Sequence, residues 1–170
     1  EFLCVCRPYM SLLLRYCFEN FNVGFWTAGK NRIIPILKKI LMPEEYKKCI
    51  CIISRTNNND NTWKCIDNVN NNTFTVNKLA GNMSKHLFIL INDNKNYKNI
   101  NETNTILIDN SEWNIVPNPK NSIYVIDCCH TGDNVLFLLY QYFTKMKKDK
   151  IKNVLNKDFN EFFKKINIMK

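Results

Sequence analysis

The chain has 170 residues, about one domain's worth at ~100–200 residues per domain, with 24 Lys+Arg against 15 Asp+Glu and a formal net charge of +9. It is 45% hydrophobic and 12% aromatic, which excludes a disordered chain lacking the apolar residues to offset its ordering entropy. Its longest apolar runs, residues 87–91 and 135–140, fall far short of the ~20 residues a bilayer requires, and with only 4 Gly it is no collagen-like repeat.

In chain order, residues 1–6 predict a short strand, and Pro8 suits the first turn of a helix carrying Met10, Leu13, Leu14, Cys17 and Phe18 at helical spacing. Residues 21–26 are a second apolar strand, ending at Thr27-Ala28-Gly29. A helix over 35–42 places Ile33, Ile36, Leu37 and Ile40 on one face, and Pro43 ends it. Residues 49–53 are a third strand. Residues 62–66 and 73–76, separated by the turn-forming 67–72, predict a β-hairpin inserted at about 56–77. A short helix over 85–91 and a polar loop over 93–103 follow. Residues 104–108 form a compact apolar strand that delivers Asp109-Asn110-Ser111, and 123–126 form another. Asp133 is the expected N-cap of an apolar helix over 135–142. Residues 151–168 carry an amphipathic pattern, so 147–170 read as a basic C-terminal helix appended to a domain of residues 1–146. This alternation is that of an α/β domain with a central, mostly parallel sheet flanked by helices. In such sheets chemistry gathers at the carboxyl ends of strands, which here puts Thr27 and Asp109-Asn110-Ser111 in view.

Asn supplies 28 of the 170 residues, and Lys and Ile are also common. All three have AT-rich codons, so the bias fits an AT-rich genome, such as that of a virus or protist. The Lys surplus follows the same bias and reads first as solvated helix faces, with nucleic-acid binding by the tail a weaker expectation. The 8 cysteines include no C-x-x-C pair, which argues against a zinc ribbon, and they read as buried thiols of a reducing, intracellular compartment.

Thr27, Lys85 and Asp109-Asn110, in this order, are what metal-dependent phosphoryl transfer needs: a hydroxyl and backbone N–H for phosphate oxygens, a lysine for developing charge, and oxygen ligands for Mg²⁺. The motifs resemble the haloacid-dehalogenase (HAD) superfamily, in particular the FCP/SCP-type phosphatases, also called NLI-interacting-factor-like phosphatases. Arg7-Pro8 resembles the family's "RP". The run 21–29, ending Trp26-Thr27-Ala28-Gly29, is similar to the strand ending in T-A-S, and 35–41 to the helix after it. Ser84-Lys85-His86-Leu87 resembles "x-K-D-L". Residues 101–111, Asn-Glu-Thr-Asn-Thr-Ile-Leu-Ile-Asp-Asn-Ser, resemble "N-E-S-N-T-L-L-I-D-D-S".

The resemblance implies a HAD-like Rossmannoid fold with a small β-hairpin insert, and an Mg²⁺-dependent phosphoserine/phosphothreonine protein phosphatase acting through an aspartyl-phosphate. Thr27 and Ala28 would hold the phosphoryl oxygens, Arg55 and Ser111 would contact substrate, and Lys85 would bridge phosphate and nucleophile. Asp109 and Asn110 would sit at the Mg²⁺ site, one as direct ligand and the other directly or through water. The implied partner is a phosphorylated protein or peptide. The family's first motif, D-x-D-x-T, which carries the nucleophile, is absent from these residues, and the first Asp is Asp60. The motif is expected upstream of Glu1; the alternative is a degenerate pseudo-phosphatase serving as an interaction module with other proteins of an assembly such as a virion. His86 and Glu112 also depart from the family's usual Asp and Pro, and Lys78 is the alternative lysine.

Overall fold

The structure is a computed structural model, and it describes residues 6–27, 33–55, 62–67, 72–77, 85–91, 100–127, 132–156 and 161–162. Outside them fall most of the first expected strand, Ala28, Lys78, Cys128–Cys129 and most of the expected tail helix; the side chain of Arg55 is also not described. The chain divides into two compact units, Cys17–Ser84 and the combination of Glu1–Tyr16 with Lys85–Lys170.

In the unit Cys17–Ser84, β1 (Gly24–Trp26) lies parallel to β2 (Cys51–Arg55), and β3 (Thr62–Asp67) and β4 (Asn72–Asn77) extend the sheet antiparallel in the order β1-β2-β3-β4. The expected hairpin insert is therefore present, and by adding to the far edge of β2 it makes two of this sheet's three strand pairings antiparallel. Gly24 faces Cys51 so closely that a Cβ there would meet the Cys51 Sγ at 2.8 Å. The connection from β1 to β2 carries α2 (Ile33–Ile40) and α3 (Pro43–Lys48), the right length for a crossover between parallel strands. Pro43 does end α2, but it also opens α3, occupying the first turn where its missing N–H costs nothing. The Glu45 carboxylate accepts the Met42 N–H at 3.0 Å, so a charge three residues into the helix closes its start. Leu37, Leu41, Cys49, Cys51, Ile52 and Ile53 form the core.

In the other unit, β5 (Leu107–Asp109) and β6 (Ser122–Tyr124) form a second parallel pair, joined through α5 (Glu112–Ile115). α4 (Leu87–Ile91) precedes them and α6 (Val135–Lys148) follows. Leu139, Tyr142, Phe143 and Met146 are the buried stripe of α6. The first half of α1 (Met10–Asn20) belongs to this unit. Tyr9, just ahead of α1, and Tyr16 on it set their rings 5.2 Å from Phe137 and Tyr140 of α6. Asp133 is not the N-cap: Asn134 occupies that position, and Asp133 caps from one residue earlier, accepting the Val135 N–H at 2.9 Å. In the expected tail helix, Val154–Asn156 form a single 3-10 turn.

These elements make an α/β fold of the HAD-like kind, in two short parallel pairs, with the Asp109 strand end in one unit and Thr27 in the other.

α6 ends in a Schellman motif. The Ile151 N–H reaches the Met146 carbonyl at 3.1 Å, the Lys150 N–H reaches Lys147 at 3.1 Å, and Lys150 takes φ 51°. A side chain in this left-handed region costs about 1–2 kcal/mol that glycine avoids. Lys150→Gly should therefore stabilise the protein by about 1 kcal/mol in urea unfolding, whereas Lys150→Val should destabilise it.

Candidate functional site

β5 is a three-residue strand whose side chains alternate. Leu107 and Asp109 are buried and Ile108 between them is half exposed, so the strand feeds a carboxylate into the interior at its carboxyl end. That carboxylate is almost fully engaged. Its Oδ1 accepts the Ser111 N–H and Asn114 Nδ2, each at 2.9 Å, and its Oδ2 faces Lys85 Nζ at 2.5 Å. The two paired side chains keep only 10% and 4% of their surface exposed.

Two asparagines one helical turn apart place the lysine. Asn114 donates to Asp109 through Nδ2 and accepts the Lys85 N–H through Oδ1 at 2.9 Å. Asn118 donates to the Lys85 carbonyl at 2.5 Å and to the Asn114 carbonyl at 2.7 Å, and accepts the Leu87 N–H at 2.9 Å, which caps the start of α4. The Ser122 hydroxyl donates to the Asn118 carbonyl at 2.7 Å and anchors the pair to β6. Lys85 is thus fixed through its own N–H and C=O, and its ammonium meets the Asp109 carboxylate. Burial alone would push the Asp109 carboxyl up. The hydrogen bonds from Asn114 and Lys85, the Lys85 charge and the Ser111 N–H outweigh it and hold the group below its ordinary value.

Asn110 behaves differently. It is exposed, and its Nδ2 donates to the Asp127 carboxylate at 2.6 Å. Asp127 ends the stretch after β6, where the Val125 N–H bonds the Asp109 carbonyl at 2.9 Å. Arg7 grips the same stretch: its Nη1 donates to the Ile126 carbonyl at 2.7 Å, and its Nε lies 2.6 Å from the buried Asp133 carboxylate.

Of the residues singled out from sequence, Lys85, Asp109 and Ser111 therefore meet, and Asn110 sits beside them in sequence with its side chain on Asp127. Thr27 is half buried in the other unit, where its N–H donates to the Ile53 carbonyl at 2.9 Å. Arg55 closes β2. His86 sets its ring edge-on to Phe88 at 5.6 Å. The sequence reading missed Asn114, Asn118 and Asp127. The only available signal was the spacing of the two asparagines after Asp109, and 28 asparagines hide any such spacing.

The family model of the NLI interacting factor-like phosphatases matches residues 1–155, and the chain belongs to that family. None of the curated proteins matches the chain. The family gives the chain a phosphatase-type function, with phosphoproteins as the broad class of substrate. Among the described residues no helix is long and apolar enough to cross a membrane.

Because folding lowers the Asp109 pKa, its ionisation stabilises the fold fully above the unfolded carboxylate value of ~3.9, and that contribution fades as pH falls through the lower folded value. Lys85→Met should cost about 3 kcal/mol at neutral pH by stranding a buried carboxylate. The deficit should narrow as pH falls and Asp109 protonates, which it does at higher pH in the variant than in the wild type, read by urea unfolding from neutral to acid pH. Arg7→Met removes the guanidinium beside the buried Asp133 and the donor to the Ile126 carbonyl, and should destabilise the protein at neutral pH, checked by the same unfolding measurement.

Proposed function

We propose that the chain belongs to an Mg²⁺-dependent phosphatase of phosphoserine and phosphothreonine proteins, in which Lys85 and Asp109 form part of the phosphoryl-transfer site. The observation that carries this reading is the buried Lys85–Asp109 pair at the carboxyl end of a parallel strand, with Asn110 directly after it. A lysine held at one carboxylate by backbone clamps is a fixed positive charge, and fixed charge needs no reorganisation when negative charge builds on a phosphoryl group.

The donor set suits Mg²⁺, which binds through a few hard oxygens and keeps several waters. Asp109 has little left to give: two N–H donors occupy Oδ1, and Oδ2 sits against an ammonium. The reading therefore makes Asn110 Oδ1 the direct ligand and brings Asp109 in through water. When bound, the ion would offset the charge of the phosphoryl oxygens. Thr27, with its hydroxyl and the adjoining backbone, is the proposed hold on those oxygens; Ala28, Arg55 and Ser111 are the proposed further contacts to the substrate phosphate. The nucleophilic aspartate of an aspartyl-phosphate mechanism is not among residues 1–170, which hold no Asp-x-Asp pair, and the proposal assigns it to a segment outside them.

The test is phosphate release from a phosphoserine peptide by the encoded protein, including any segment ahead of Glu1. Turnover should need Mg²⁺, stop with EDTA, and fall by about 10²–10³ or more in both Lys85→Ala and Asp109→Ala, the range seen when one preorganised electrostatic group is removed. Full activity in both variants would reject the site. No turnover from a protein that does carry an Asp-x-Asp strand would favour a non-catalytic binding module instead.

A further inference from the structure

Asp127 has no place in the phosphoryl-transfer reading so far, yet it makes a short contact with that site. Its carboxylate accepts Asn110 Nδ2 at 2.6 Å, a short hydrogen bond to a charged acceptor. A carboxamide is planar, with its N–H₂ and its oxygen on opposite edges. Whatever fixes one edge therefore fixes the other. Exposed asparagines otherwise turn freely about their last torsion, and one turn would exchange the cation-binding oxygen for two N–H donors that repel a cation.

The backbone leading into Asp127 is held at two points. The Val125 N–H is tied to the Asp109 carbonyl at 2.9 Å, and the Ile126 carbonyl accepts from Arg7 Nη1 at 2.7 Å. Arg7 is locked in turn by the buried Asp133 at 2.6 Å. The carboxylate that meets Asn110 thus hangs from a backbone anchored at the two residues before it.

We infer that Asp127 is a positioning residue for metal binding: it takes the Asn110 N–H₂ as a hydrogen-bond partner and so presents the Asn110 amide oxygen to a divalent cation. The inference rests on the proposed Mg²⁺ site and adds a residue that neither composition nor motif singled out. It assigns Asp127 the role of acceptor, not of ligand.

Mn²⁺ binding to the encoded protein, including any segment ahead of Glu1, followed by electron paramagnetic resonance of the free ion, separates these roles. Asp127→Ala should weaken binding about 10-fold or more, the usual effect of losing the partner that orients a ligand. Asp127→Asn, which keeps an acceptor oxygen and loses the charge, should bind close to wild type. The Asn110 side-chain amide resonance, identified by its loss in Asn110→Ala, should shift in Asp127→Ala and stay near its place in Asp127→Asn. Wild-type affinity in Asp127→Ala, with Asn110→Ala weakened, overturns the inference and leaves the metal site standing. A loss in Asp127→Asn as large as in Asp127→Ala also overturns it, because charge or direct coordination would then be the role. Unchanged affinity in Asn110→Ala, or no binding by the wild-type chain, overturns the metal site itself and the inference with it.

Discussion

The candidate site depends on one buried ion pair, Lys85 with Asp109. Taking an ammonium and a carboxylate out of water costs several kcal/mol per ion, and their attraction returns this only when geometry is good and the remaining lone pairs are filled. The surrounding structure meets both conditions. Ser111 and Asn114 fill Oδ1, and Asn114 and Asn118 hold the backbone of Lys85 on both sides. A pair built this way adds little net stability, since apolar residues of similar volume would serve folding as well. What it provides is a lysine and a carboxylate whose mutual position is fixed before any substrate arrives.

The fold supplies that position cheaply. Consecutive parallel strands need a crossover, and between β5 and β6 the crossover is a single short helix, α5, followed by a turn. Asn114 on that helix and Asn118 just past it are therefore carried back over the end of β5, onto the segment where α4 begins. The same crossover returns the chain at β6, whose continuation brings Asp127 to Asn110. One strand–helix–strand unit thus positions Asp109, Asn110, Lys85 and Asp127 together. Arg7, reaching in from ahead of α1 to Ile126 and Asp133, ties the start of the described chain to the same end of the unit.

Much of this was legible in the sequence. The apolar strands, the hairpin at 62–77 and the apolar helix after residue 134 follow from periodicity and turn chemistry, and Lys85, Asp109 and Ser111 were marked as site residues by their motifs. Boundaries moved for physical reasons. β2 ends at Arg55 rather than at residue 53, and β5 at Asp109 rather than at 108, because ladder hydrogen bonds accept polar Ser54 and Asp109 as readily as leucine. Pro43 was read only as a stop, although a proline that ends one helix can open the next, and Glu45 three residues on was the sign of it. Asn114 and Asn118 were invisible for a different reason. Their role is defined by the tertiary contact with residues 85–87, and local sequence offers nothing to distinguish them from the other asparagines.

The most direct test of the Lys85–Asp109 pair as the organising interaction is the titration of the Asp109 side-chain carboxyl by ¹³C NMR, in the wild-type chain and in Lys85→Met. The account predicts a wild-type midpoint below the ordinary carboxylate range and a clear rise in the variant, because burial then acts without the ammonium to oppose it. A wild-type midpoint at the ordinary value, or one that does not move when the lysine is replaced, would contradict it.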